Sequence, residues 1–265
     1  MAPNTLDFTC AIVTGGGGGL GRAMAEHLVA LGKKVILVGR TEAKLQQAAR
    51  ELGHDTTYYV LDTGKVPDIA PFVARVTAEH PDVDCLINNA GVQRPLDVAA
   101  NGSRAFDLAK ADQEVAINIT GPMHLCVGLL PHLRSRPAAT LINVSSVLGY
   151  IPFSIINPVY NGTKAWLHFW TMNLRSQLRQ AGVDNVRVVE IVPPTVATDL
   201  HRERSDPDDN KKDKNSNALS VDEFMEFVSR GWRENRETIG AGSGEKIVQR
   251  WYDEFGPDYA KAAGE

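Results

Sequence analysis

Thr14-Gly15-Gly16-Gly17-Gly18-Gly19-Leu20-Gly21 joins the apolar run Cys10-Ala11-Ile12-Val13 to a segment with apolar residues at helical spacing. Glycines at a strand-to-helix junction let the backbone turn sharply and come close to a ligand. The exposed N–H groups and dipole of the helix then favour a phosphate. A glycine tract alone also describes a flexible turn. Its placement after a strand and before a helix gives it meaning as the first unit of a dinucleotide-binding fold.

The same alternation continues outward from this unit. Short β-rich runs are expected over 10–14, 35–39, 57–61, 85–88, 140–145, 186–192 and 238–241. Between them, helical spacing predicts helices over 21–31, 42–52, 66–80, a long stretch around 105–133, and 159–181. Strand and helix in alternation specify a parallel sheet, and nearly continuous apolar strands specify burial on both faces. The expected fold class is therefore α/β, a doubly wound, Rossmann-like parallel sheet with helices on both faces.

Regularity breaks after Leu200. Residues 201–217 are rich in charge, Asp and Asn, and predict a mobile loop that cannot bury itself. Ser220 and Glu223 have the spacing of a capping box and predict a helix over 221–232. No repeat or linker divides the chain. The expectation is one domain over 1–265 with a short helical substrate lid at about 200–236.

The net charge is −4 and there is no basic stripe, so a nucleic-acid partner is not expected. No apolar run reaches the roughly 18 residues of a membrane span. The N-terminus lacks a secretory pattern, and Cys10, Cys85 and Cys126 show no paired spacing, so a reducing, cytoplasmic setting is expected. The seven histidines are scattered, and no metal site is expected. The second predicted strand ends in Gly39-Arg40, where an NAD-binding unit usually carries an acid for the ribose. An arginine there suits the 2′-phosphate of NADP(H), which is favoured over NAD(H).

Tyr160 and Lys164 lie four residues apart, on one face of a predicted helix. An ammonium beside a phenol favours phenolate and would bring its pKa toward neutrality. Such a pair is uninformative alone, but it comes with Asn88-Asn89-Ala90-Gly91, Asn143-Val144-Ser145-Ser146 and Pro193-Pro194-x-x-x-Thr198, each after a predicted strand. With these motifs in this order, residues 8–200 resemble the short-chain dehydrogenase/reductase family.

The resemblance implies an oxidoreductase moving hydride between a nicotinamide cofactor and a small carbonyl or alcohol substrate. It implies Tyr160 as acid/base, Lys164 as its helper and ribose ligand, a serine that orients the substrate oxygen, and Asn118 in a proton relay. Ser145 and Ser146 cannot both face the site if the strand runs through them. Ser146 is nearer the family spacing and is assigned. For the cofactor, the resemblance implies Gly15, Gly19, Leu20, Gly21, Arg40, Asp62 (at the adenine), Asn89, Ala90, Gly91, Tyr160, Lys164, Val196 and Thr198. Asn88 and Asn89 read equally well as side chains that secure the strand end.

Three features depart from the family pattern. Pro194 replaces a glycine and removes a backbone donor, the glycine loop carries no Lys or Arg, and Ser146 stands 14 residues before Tyr160 rather than the usual 13. A homodimer or homotetramer built on the helices around 105–133 and 159–181 is expected. Trp166, Phe169 and Trp170 fit core or interface roles. Phe224, Phe227 and Trp232 fit either a substrate pocket or a helix covering the core. The rival reading is a non-catalytic dinucleotide-binding regulatory protein on the same fold.

Overall fold

The structure, a computed structural model, describes residues 3–53, 56–100 and 106–264. The strands are β1 (Cys10–Thr14), β2 (Lys34–Gly39), β3 (Thr57–Val60), β4 (Val83–Asn88), β5 (Ala139–Val144), β6 (Val186–Val192) and β7 (Thr238–Gly240). They form one sheet in the order β3-β2-β1-β4-β5-β6-β7, and every pairing is parallel. The strand order reverses beside β1, which opens a crevice at the carboxyl ends of β1 and β4.

Successive strand residues point to opposite faces, and this splits the core in two. Ala11, Val13, Val35 and Leu37 pack toward α1 (Gly19–Ala30), α2 (Glu42–Leu52) and α7 (Val221–Arg233). Cys10, Ile12, Ile36 and Val38 pack on the other face, with Phe72 of α3 (Val66–Glu79), Leu125 of α5 (Gly121–Arg134) and Leu174 of α6 (Pro158–Gln180). The doubly wound sheet is thus as expected. The three cysteines are buried and free. Among the described residues, no helix is long and apolar enough to cross a membrane.

Four expectations are refined. The stretch around 105–133 is not one helix: α4 (Leu108–Val115) passes through a π turn, Ala116–Thr120, into α5, and Ala105 lies outside the described residues. The terminal helix α8 (Ser243–Ala263) was not anticipated; Gly256 and Pro257 interrupt its pattern, although Val248 packs on Val147 and Val192. Residues 201–217 do bury themselves in part, contrary to the composition argument. His201 and Asn210 are buried, and the polar content is absorbed by pairs such as Arg204–Asp209, Lys214–Asp206 and Arg94–Glu203. Finally, α7 carries the predicted Ser220–Glu223 capping box, and it buries Phe224 and Trp232 in the core rather than in a pocket.

Candidate active site

The loop after β1 is anchored by Gly16 N–H donating to Val38 O at 3.2 Å. Gly15 sits at φ +69°, a left-handed conformation that disfavours a side chain. Gly21, on the first turn of α1, is closed in: a Cβ there would lie 2.5 Å from Gly15 O and from Asn89 Nδ2. This close approach of helix to loop sets the N-terminus of α1 over the crevice, with no acid in its first turn.

A cleft of about 700 Å³ opens at the carboxyl ends of the strands. Gly15, Gly19, Leu20 and Arg40 line one end, together with Thr41 and Lys44. Asn89, Ala90, Gly91, Ser146, Tyr160, Lys164 and Val196 also line it, with Thr198 beside Gly19. Of the residues expected at the site, Gly21, Asp62 and Asn118 do not line the cleft. Gly21 supports the loop from behind. Asp62 accepts from Gly64 N–H at 3.0 Å. Asn118 is buried in the π turn, where its Oδ1 accepts from Val92 N–H and its Nδ2 donates to Val92 O and Thr163 Oγ1.

The neighbouring asparagines divide the two roles left open by the sequence. Asn88 donates to Asn143 Oδ1 at 2.9 Å, and Asn143 donates to Thr171 Oγ1, so Asn88 secures buried strand ends. Asn89 donates from its side chain to Thr14 O and also lines the cleft.

Both serines line the cleft, and their hydroxyls make different bonds. Ser145 Oγ donates to Glu190 Oε1 at 2.5 Å, on the buried side. Ser146 caps the short turn Val147–Gly149, accepting from Leu148 N–H, and lines the same cleft as Tyr160. Lys164 is buried and donates from Nζ to Val144 O at 2.7 Å, with the ammonium 5.6 Å from the Tyr160 ring centre.

Burial lowers Lys164 to about 8, against the pull of Glu114 and Glu190. Burial raises the Tyr160 phenol above its ordinary value, with Glu114 adding to the rise and Ser146 opposing it. A phenol lowered by its lysine is therefore not what the protein's own groups produce. Desolvation is the larger effect here.

Several cleft residues carried no signal at the sequence level. Lys44 lies one turn beyond Arg40, at the start of α2, and that spacing could have exposed it. Gln93, Ser154 and Arg204 line the part of the cleft near Tyr160. Arg204 donates to Gln93 Oε1 and Asn157 Oδ1, and only the fold brings these three segments together.

A family profile described as short chain dehydrogenase matches residues 9–209. The chain belongs to the short-chain dehydrogenase/reductase family. It is 32% identical to an oxidoreductase of Bacillus subtilis, DltE, over 86% of each chain. It is also 32% identical to the NADP-dependent 3-hydroxy acid dehydrogenase YdfG of Salmonella typhimurium, over 82% of this chain and 86% of that one. Among solved structures, a short-chain dehydrogenase from Sphingobium yanoikuyae in complex with NADPH shares the fold, with a TM-score of 0.80 at 21% identity, covering 97% of this chain and 95% of that one. A serine dehydrogenase complexed with NADP+ superposes with a TM-score of 0.75 at 27% identity, covering 88% of this chain and 94% of that one. As a short-chain dehydrogenase/reductase, the chain is an NAD(P)-dependent oxidoreductase.

Proposed function

We propose that this enzyme uses NADP(H) to interconvert a small carbonyl compound and its alcohol, with Tyr160 as the acid/base. The observation that carries the reading is the convergence of Ser146, Tyr160 and Lys164 on the same cleft as the glycine loop. The crowded Gly15–Gly21 approach and the free N-terminal turn of α1 fit a pyrophosphate, and Arg40, Thr41 and Lys44 fit a 2′-phosphate. Bound there, the cofactor would supply or accept hydride.

The chain's own groups do the rest. Ser146 would hold the substrate oxygen against the phenol. Tyr160, kept protonated at neutral pH by burial, would give its proton to that oxygen during reduction and take it back during oxidation. Lys164, anchored on Val144 O, would stabilise phenolate when it forms and hold the cofactor ribose. Asn118 would act from behind by fixing the Val92 backbone beside Gly91 and Lys164. From the 200–236 region, Leu200, His201 and Arg204 would cover the substrate end.

The cofactor preference is open to direct test. Arg40→Ala should weaken NADPH binding on the order of 10- to 100-fold, the range for losing a charge-assisted pair, and leave NADH nearly unaffected. Fluorescence titration of both cofactors measures this. Equal affinities in the unmutated enzyme would remove the assignment.

We also expect a symmetric dimer or tetramer built on α5 and α6. Val127 and Phe169 stand exposed on these helices, and Trp166 stacks on Trp170 at 5.2 Å. Light scattering should show more than one copy per particle at micromolar concentration; a monomer would assign these residues to the single subunit's surface.

A further inference from the structure

Glu114, on α4, is fully buried, yet neither carboxyl oxygen has a hydrogen-bond partner. It lies one helical turn before Asn118, so the two side chains share a strip of the helix. Asn118 brackets Val92 and reaches Thr163 on α6, while the Arg94 backbone N–H faces Glu114 without completing a bond. The Arg94 guanidinium is engaged elsewhere, by Glu203, Lys110 O and Gln113 Oε1. The charged and titratable groups acting on Glu114 are Arg94 and Glu203 from the loops, and Lys164 and Tyr160 from α6. Lys110 of its own helix is drawn to Glu203, at 3.6 Å.

A carboxylate buried without a donor is strongly disfavoured, so this side chain holds its proton well beyond the usual range. Burial pushes Glu114 up to about 7; Arg94 and Lys164 oppose the rise and Glu203 adds to it. When ionised, Glu114 favours the proton on both Tyr160 and Lys164. A purely structural position would be served as well by an apolar or amide side chain of this size.

We propose that Glu114 is a positioning residue for proton transfer: through its own charge it sets how readily the Tyr160–Lys164 pair gives up a proton, without touching substrate. The proposal rests on Tyr160 and Lys164 acting as the acid/base pair. Ionised Glu114 holds that pair in the phenol–ammonium state suited to carbonyl reduction. Neutral Glu114 releases the phenol's proton at lower pH.

Glu114→Gln fixes the neutral form. Under saturating NADPH, its pH–rate profile for carbonyl reduction should lose its acid form earlier, with the falling limb displaced downward by about one pH unit. Glu114→Asp keeps a titrating carboxyl and should restore the original shape. Infrared difference spectra of the whole enzyme between about pH 6 and pH 8 should show a protonated carboxyl that ionises across that interval, absent in Glu114→Gln. Glu114→Met provides a further non-titrating variant should the amide fold poorly. A Glu114→Gln profile that superimposes on the parent, with only a uniform change in kcat, would make the residue structural and overturn the proposal. So would spectra showing Glu114 ionised throughout. Failure of the acid/base reading itself would appear separately, as turnover surviving in Tyr160→Phe while the Glu114 carboxyl still titrates.

Discussion

Tyr160→Phe is expected to lower kcat for carbonyl reduction by about 10²–10⁴-fold, the usual contribution of a positioned acid. The substitution keeps the ring, its packing and the helix, and deletes the one oxygen proposed to carry the proton. Ser146 would still hold a substrate oxygen, but the alkoxide formed there would have no adjacent acid. The fold should lose only about 1 kcal/mol, because the deleted group is a neutral hydroxyl on a residue that lines the cleft. NADPH affinity should persist, since Lys164 and the glycine loop are untouched. Steady-state kinetics alongside cofactor titration separates these outcomes. A variant that keeps most of its turnover would remove Tyr160 from the proton path. If no carbonyl substrate is found, and the substitution instead alters a cofactor-dependent association with another protein, a regulatory role gains ground.

The fold was legible because its instructions are local. Cys10–Thr14 alternates in burial between two apolar layers, and such a strand must be covered on both faces wherever it occurs. The glycine loop is legible because it stands between that strand and α1. The capping box at Ser220 needs only three residues of context, and it formed as read. The terminal helix is masked in the sequence for a related reason. Ile247, Val248, Trp251, Tyr252 and Phe255 recur at helical spacing, but Gly256-Pro257 falls within the pattern and reads as an end. Pro257 is carried inside α8 despite its missing N–H, and Tyr259 beyond it is tied to Ser176 at 2.7 Å.

The site was legible only where a residue's chemistry is also a motif. Tyr160, Lys164 and Ser146 stand together as their spacing suggests. The groups that tune them gave no comparable signal. Glu114 lies among polar helix residues and reads as a solvated face; only the packing of α4 on the 91–94 segment and α6 buries it. In segment 201–217 composition misleads because it counts charges without their partners. His201 and Arg204 both bond Asp209, and Asn210 donates to Val196 O and Thr198 O. Polar side chains can fill a buried segment when each one finds a partner, and that pairing is a property of tertiary structure.

Glu190→Ala should be strongly destabilising, by about 3–5 kcal/mol, because it removes a buried carboxylate that three donors share, the buried His168 imidazole among them. Glu190 sits on β6 with no exposure. It accepts from Ser145 Oγ at 2.5 Å, from Tyr150 OH at 3.0 Å and from His168 Nδ1 at 2.9 Å. Those donors come from the end of β5, the turn after it and α6, the elements that carry Ser146, Tyr160 and Lys164. His168 lies one helical turn beyond Lys164, so the carboxylate braces α6 against the serine turn. Alanine would leave the Tyr150 hydroxyl and the His168 imidazole without this acceptor, and Ser145 Oγ with Ile191 O at 3.3 Å. Glu190→Gln keeps the shape and one acceptor oxygen and should lose less. Urea unfolding gives the difference directly, and in a chain of this size each kcal/mol lowers Tm by roughly 2–4 °C. Near the cleft, the loosened Ser145–Ser146 step should depress kcat more than it raises KM for NADPH, since the glycine loop lies elsewhere. A loss of stability below about 1 kcal/mol would mean that water or a rearranged partner satisfies the three donors, and the network would no longer count as what fixes Ser146 against Tyr160.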